Sequence, residues 1–341
     1  MCRAYNYEEY SVTSIQGIVV GGGAVGVEFH VPRLLDIIGC SEVTVVENSA
    51  LQCDRLRKKF ARNSLIKIVD AIPHGAYDLA VVSTPPKFHF ECFDALKESC
   101  HHIVIEKPLT KTLAEAYKLN ALADEFDVKT YVGLIRRSLT NFALLKNWID
   151  SDVFGRLHSV VVAEGLIFSW NAVSVGSFSR DLNGGGVLMD TGPHTLDQLF
   201  QLFDSLVLVS AKLDALATDV GDAIEANATI ELTCGEGRPI TLLLSRNRAL
   251  SNTAKFKFDK ATVELALHSN SIRIIDESGN GMHGLPNDVD ADMNYPQMFD
   301  AYYRKFILNR NNCGVSGPES NRLLKLIEEI YSTAELMERS F

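Results

Sequence analysis

The chain has 341 residues, 46% of them hydrophobic, enough to fill two domain cores. Its net charge of -10 at pH 7, with no basic stripe or Lys/Arg run, excludes nucleic-acid backbone binding as a main role. Seven scattered cysteines without a C-x-x-C pair predict reduced thiols in a cytoplasmic protein. The opening MCRAYNYEEYSVTS lacks a signal-peptide pattern, and no apolar run reaches the length of a membrane span.

From residue 15 to about 133, short β-rich runs alternate with amphipathic helical stretches, the βαβ pattern of a doubly wound parallel sheet. A first strand at 18–20 leads into Gly21, Gly23 and Gly26 in G-x-G-x-x-G spacing, with Ala24 and Val25 ahead of the third glycine. The first glycine permits a tight turn, the second lets the backbone approach a pyrophosphate, and the third lets the helix over 27–38 pack on its strand. The free N–H groups at that helix start suit phosphate. Glu47 ends the second strand (42–47), 21 residues after Gly26. A carboxylate there accepts bonds from the adenosine ribose and repels a 2′-phosphate, which predicts NAD over NADP.

A strand at 78–83 runs into Thr84-Pro85-Pro86, where two prolines stop the ladder at its carboxyl end. The strand at 102–105 is followed by Glu106-Lys107-Pro108. Pro108 biases Lys107 away from helix, leaving its ammonium at the strand tip to donate to a reacting oxygen. A last strand of this half spans 128–133.

The second half changes character. After a helix at 139–150 come strands at 157–167, 206–213, 223–233, 240–245, 254–258, 262–267 and 272–276, a mostly antiparallel sheet with one covered face. In the clearest, Ile224, Ala226, Ala228, Ile230 and Leu232 share one face, and Glu225, Asn227, Thr229 and Glu231 the other. The open face suits symmetric pairing into a homodimer or homotetramer. The segment 168–183, with Trp170 and Arg180, has the composition of a binding loop.

Gly184-Gly185-Gly186 then leads into a helix over 187–203, with Pro193 in a first turn that starts near Gly192. Asp190 and His194, at i and i+4, become neighbours. His194 suits proton transfer because an imidazole titrates near physiological pH, and Asp190 suits orienting its ring. The bland reading is a helix-start Asp beside a partly buried His. A metal is not expected, because the pair lacks a third ligand at a recognisable spacing.

With Lys107, Asp190 and His194 in view, the chain resembles the glucose–fructose oxidoreductase / inositol dehydrogenase (Gfo/Idh/MocA) family over residues 15 to 334. GGGAVGVEFHVPRL is similar to its dinucleotide loop, and STPPKFHFECFDAL and HIVIEKPLTKTLAEAYKL to its proline turn and Glu-Lys-Pro signature. GGGVLMDTGPHTLD is similar to its substrate motif and VSGPESNRLLKLIEEIYSTA to its closing helix. The resemblance implies a Rossmann domain over 1–136 and an α+β domain over 137–341 with a large open sheet, its last helix packing back on the first domain.

Ser83, Thr84, Pro85, His89, Glu106 and Lys107 are then expected at the cofactor, with Lys107 as oxygen-binding donor, His194 as general acid/base and Asp190 as their partner. Arg136, Trp170 and Arg180 join Asp190 and His194 as substrate contacts, although Ile135 replaces a polar residue common in the family. The implied activity is hydride transfer between NAD and a secondary alcohol or ketone of a sugar, cyclitol or derivative. A nucleotide-sugar oxidoreductase and a non-catalytic NAD(P)-binding sensor are the alternatives, and a sensor needs neither Lys107 nor His194.

Overall fold

The structure, a computed structural model, describes residues 14–167, 179–214, 224–283, 293–309 and 316–337. Its first sheet is parallel, with strands β1 (Gln16–Val20), β2 (Glu42–Val46), β3 (Ile66–Val69), β4 (Leu79–Val82), β5 (His102–Ile105) and β6 (Lys129–Val132) in the order β3-β2-β1-β4-β5-β6. This is the dinucleotide-binding order, with its crevice where the winding reverses between β1 and β4. The central strands are runs of Val and Ile without polar alternation, because both faces are covered.

On one face lie α1 (residues 25–38), which begins two residues earlier than the sequence suggests and winds largely in wide i→i+5 turns, and α9 (residues 295–308). The other face carries α3 (His89–Leu96) and α4 (Leu113–Glu125). A peripheral α2 (Ala50–Lys59) is capped by Ser49, and the short α6 (Arg180–Asn183) by Ser179.

The second sheet has nine strands: β7 (Leu157–Gly165), β8 (Leu206–Asp214), β9 (Asn227–Cys234), β10 (Arg238–Ser245), β11 (Thr253–Phe258), β12 (Ala261–Ala266), β13 (Ile272–Asp276), β14 (Gly281–His283) and β15 (Glu335–Met337). Their order is β14-β13-β12-β11-β7-β10-β9-β8-β15. Pairing is antiparallel except between β7 and β10 and between β8 and β15.

One face is covered by α5 (Asn141–Asp150), α7 (Val187–Asp190), α8 (Gly192–Phe200) and α10 (Gly317–Thr333), whose Leu145, Leu188, Leu196 and Ile327 are buried in one core with Ile230 and Leu242. That core continues through α4 to the first sheet, and a fully buried Leu or Ile contributes about 1.5–3 kcal/mol. The opposite face exposes Val161, Val207 and Val209 along with Lys255 and Lys257.

α10 is held at its start by a Ser316–Glu319 capping box and packs on α4. Arg137 grips the buried Asp197 carboxylate at 2.7 and 2.8 Å, and the Tyr302 hydroxyl donates to Val132 O at 2.7 Å. One strand departs from the sequence reading. β9 begins at Asn227 rather than 223, and Glu225, expected on the open face, is buried. The stretch 187–203 is two short helices with Thr191 between them, and the second, α8, starts at Gly192, as Pro193 in its first turn led the sequence reading to expect.

Candidate active site

The glycine loop closes tightly on its neighbours. Gly21 has φ +109°, and a Cβ there would sit 2.7 Å from the Ser83 backbone; one on Gly26 would sit 2.4 Å from Gly21 O. A Cβ on Gly23 would meet nothing within 4 Å, so that side of the loop is open to the approach of a phosphate. Glu47 closes the far side: its Oε2 accepts from Gly22 N at 3.2 Å and its Oε1 from Ser49 N at 2.8 Å. Loop, open helix start and strand-end carboxylate together fit a dinucleotide.

Two strand-end turns meet beside the loop. Ser83 Oγ donates to Gly21 O at 3.0 Å, tying the end of β4 to the glycine turn. His89 is fully buried between the turns, with Nε2 2.8 Å from Thr84 O and Nδ1 3.0 Å from Pro108 O. Burial lowers its pKa against the pull of those carbonyls. It therefore braces the Pro85 and Pro108 turns, with both ring nitrogens facing backbone carbonyls. Glu106 is likewise occupied: His30 Nε2 lies 2.9 Å from its Oε1 and Lys107 N donates to its Oε2 at 3.2 Å. His30 Nδ1 lies 2.7 Å from the Tyr303 hydroxyl, so α9 supports this corner.

Lys107 extends from the tip of β5, its peptide bond to Pro108 cis, and its Nζ donates to Asp190 O at 2.7 Å and Asp190 Oδ1 at 2.8 Å. Asp190 is carried by α7, whose start is fixed by Glu225: Oε1 accepts from Gly186 N at 2.8 Å, Leu188 N at 3.1 Å and the Tyr331 hydroxyl at 2.6 Å. A Cβ on Gly186 would lie 2.0 Å from Glu225 O, which is why the turn ahead of Asp190 is built from glycine. The burial of Glu225 thus places Asp190. Arg246 Nη2 donates to Asp190 Oδ2 at 3.2 Å. Desolvation raises the Asp190 pKa, but the Lys107 charge and hydrogen bond and the Arg246 charge outweigh it and hold the group below its ordinary value.

His194 follows on α8, 6% exposed, and its Nδ1 has no hydrogen-bond partner among the described residues. Asp190 therefore pairs with Lys107 and Arg246, not with the His194 ring as the i, i+4 spacing suggested. Burial first, then the Arg136 and Lys107 charges, put the His194 pKa well below its ordinary value, so the ring is neutral at pH 7.

Beneath it lies Glu164 on β7, which accepts from Arg136 at 2.5 and 2.9 Å, from Thr195 Oγ1 at 2.5 Å and faces His268 Nε2 at 2.8 Å. Burial would raise this carboxyl, but Arg136 and His268 hold it well below the carboxylate range.

Of the expected substrate contacts, Arg136 is locked in this buried pair, and Arg180 stands over the Tyr331 ring at 5.9 Å. Trp170 lies outside the described residues. Ala24 and Val25 form the start of α1. Glu164, Arg246, His268 and Glu225 were not foreseen, because each lies far in sequence from the motifs it serves. The only sequence signal was Glu164, a carboxylate directly after the apolar run over 160–163. Among the described residues no cluster of His, Cys, Asp or Glu is arranged to hold a metal. No described helix is long and apolar enough to cross a membrane.

Residues 15–134 match the oxidoreductase family model with NAD-binding Rossmann fold, and residues 142–264 match the GFO/IDH/MocA C-terminal domain. The chain belongs to the GFO/IDH/MocA family. Among GFO/IDH/MocA relatives, an uncharacterized oxidoreductase of Schizosaccharomyces pombe is 29% identical over 59% of this chain and 55% of its own length. The NADP(+)-dependent scyllo-inositol 2-dehydrogenase of Bacillus subtilis is 28% identical over 60% of this chain and 56% of its own. The match thus spans about half the length of these relatives. The fold is shared with a 3-ketoreductase of Actinomadura kijaniata solved with NADP and TDP-benzene, at TM-score 0.79 and 17% identity, covering 95% of this chain and 99% of that one.

Proposed function

We propose that this chain is a cytoplasmic, NAD-dependent oxidoreductase that transfers hydride between nicotinamide and a secondary alcohol or ketone of a sugar, cyclitol or sugar derivative. The observation that carries this is the meeting of Lys107 and His194 beside the dinucleotide loop: an ammonium from the first domain and, from the second, a neutral imidazole whose Nδ1 has no hydrogen-bond partner among the described residues. Residues 1–136 form the cofactor domain and 137–341 the substrate domain, which pairs with copies of itself through the open sheet face.

The nicotinamide, when bound, supplies the hydride chemistry. Two of the three Lys107 N–H donors are held by Asp190, and the third is available to the substrate oxygen. Its stabilisation of that oxygen grows as alkoxide character develops, so it lowers the barrier rather than only tightening binding. Neutral His194 takes the hydroxyl proton in oxidation and, because its environment disfavours the imidazolium, returns it readily to a ketone in reduction. A purely sensing role gives no reason to hold these two groups together.

NADH absorbance with a panel of cyclitols, aldoses, sugar acids and nucleotide sugars tests the reading. Turnover of one class, lost in Lys107→Ala and His194→Ala, supports it; silence across the panel with NAD bound favours the sensor. Turnover confined to nucleotide sugars favours that rival, to which the TDP-benzene of the Actinomadura enzyme lends interest.

The cofactor preference rests on Glu47, which the loop amides fix at the end of β2. The Bacillus relative is named for NADP(+), so the distinction is testable. Glu47→Ala should cut the ratio of NAD to NADP affinity by about tenfold in a binding titration, as losing about 1.4 kcal/mol of ribose recognition implies.

A further inference from the structure

α6 meets the strand-end turns of the first sheet at Asp181. Lys87, in the turn at the end of β4, donates to Asp181 Oδ2. Lys111, beyond Pro108 at the end of β5, donates to Asp181 O at 2.7 Å and to Oδ1 at 3.4 Å. The hydrogen bond and charge of Lys87, with those of Lys111 behind them, hold the Asp181 carboxyl below its ordinary value, so it is ionised at pH 7. None of these three residues has a part in the hydride and proton transfer described above.

Ligands of such a sheet bind outside the carboxyl ends of its strands, in the crevice where the winding reverses between β1 and β4. The turn that holds Lys87 begins at Ser83, whose Oγ ties it to Gly21 of the glycine loop. α6 packs on that turn. At the other end of α6, Gly184 at φ +87° sends the chain into Gly185-Gly186 and so toward Asp190. This one turn of helix therefore runs from the rim of the crevice to the segment that anchors Lys107.

None of the four α6 residues is buried, and the side chains of Asp181 and Lys87 are 61% and 40% exposed. Apolar area therefore contributes little to its docking, and exposed ion pairs are weak and screened by salt. A segment held in this way opens far more readily than the packed helices around it.

We propose that Asp181 is a clasp: seated between Lys87 and Lys111, it holds α6 at the mouth of the dinucleotide crevice, and the dinucleotide exchanges when the clasp opens. This rests on the dinucleotide-binding part of the reading above and on no particular substrate.

NADH and NADPH are bound in turn to wild type, Asp181→Asn, the Lys87→Met/Lys111→Met double variant and the triple variant. Release is timed in a stopped flow from the change in nicotinamide fluorescence on chasing with excess NAD or NADP. Asp181→Asn is expected to release about three- to tenfold faster than wild type at low salt, the size that two exposed ion pairs carry. The lysine double variant shows the same raised rate, and adding Asp181→Asn to it changes nothing further. Raising KCl from about 20 mM to about 500 mM brings wild type to within about twofold of Asp181→Asn, because the ion pairs are screened.

Slower release from Asp181→Asn than from wild type assigns the two lysines to the cofactor phosphates and overturns the clasp. A rate equal to wild type overturns it too, as does a lysine effect of the same size with and without Asp181. Each of these outcomes leaves the dinucleotide reading standing. Failure of wild type to bind either nucleotide overturns that reading, and the clasp with it.

Discussion

Two carboxylates flank His194, and they are built differently. Asp190 has a side chain 41% exposed and answers to Lys107 and Arg246, which arrive from separate strand ends. Glu164 is buried, with Arg136 clamped in parallel on both oxygens and Thr195 and His268 filling the remaining acceptor positions. An exposed ion pair is worth little in stability and is easily rearranged, whereas a buried one is costly to break from one side. The first is thus suited to respond to a substrate, the second to hold the frame on which the substrate is read.

The contrast is broken most severely at its centre. Lys107→Ala and His194→Ala should each lower kcat by about 10²–10⁴ while NAD affinity stays within about threefold, as losing transition-state groups requires; steady-state kinetics with a cofactor titration checks this. On the framing side, Glu164→Ala leaves Arg136 buried without a counter-ion and should cost about 3–5 kcal/mol in urea unfolding.

The same carboxyl titrates lower in the folded chain than in the unfolded one. Its contribution is therefore complete above the ordinary glutamate value near pH 4.3 and fades as the pH falls below it. A urea midpoint that falls from pH 5 to pH 3 more in wild type than in Glu164→Gln would show this. Asp190→Asn, in contrast, should change unfolding by less than about 1 kcal/mol but lower kcat by about tenfold, since Lys107 loses its anchor. Equal stability losses at the two carboxylates would erase the distinction between them.

The smallest effect is a displacement. The acid limb of kcat/KM for alcohol oxidation should lie below the ordinary histidine value near pH 6.5, because burial, Arg136 and Lys107 all disfavour the imidazolium. A limb at or above that value assigns the proton to another group.

The cofactor side was legible because its determinants are contiguous. Gly21 to Gly26, Glu47 and the Pro85 turn each act within a few residues of a strand end, where turn geometry and helix starts follow local rules. β3 was missed because four residues, Ile66–Val69, do not make a period. The helix over 295–308 was missed although its start carries an Asn294–Gln297 capping box. His89, expected at the cofactor from its place in the proline turn, has its two ring nitrogens 3.0 and 2.8 Å from the carbonyls of Pro108 and Thr84, a bracing position that local sequence does not reveal.

The sequence by itself determined the parallel first sheet, the mostly antiparallel second one and the glycine loop, which follow from periodicity and short-range spacing acting through neighbouring backbone. Lys107, Asp190 and His194 were singled out together only through the family resemblance. Tertiary structure alone decided that Asp190 answers to Lys107 and Arg246 rather than to His194, that Arg136 is neutralised by Glu164, and that Glu225 fixes the turn ahead of Asp190. Charges choose partners by distance and desolvation, and both are set only when strands remote in sequence have packed.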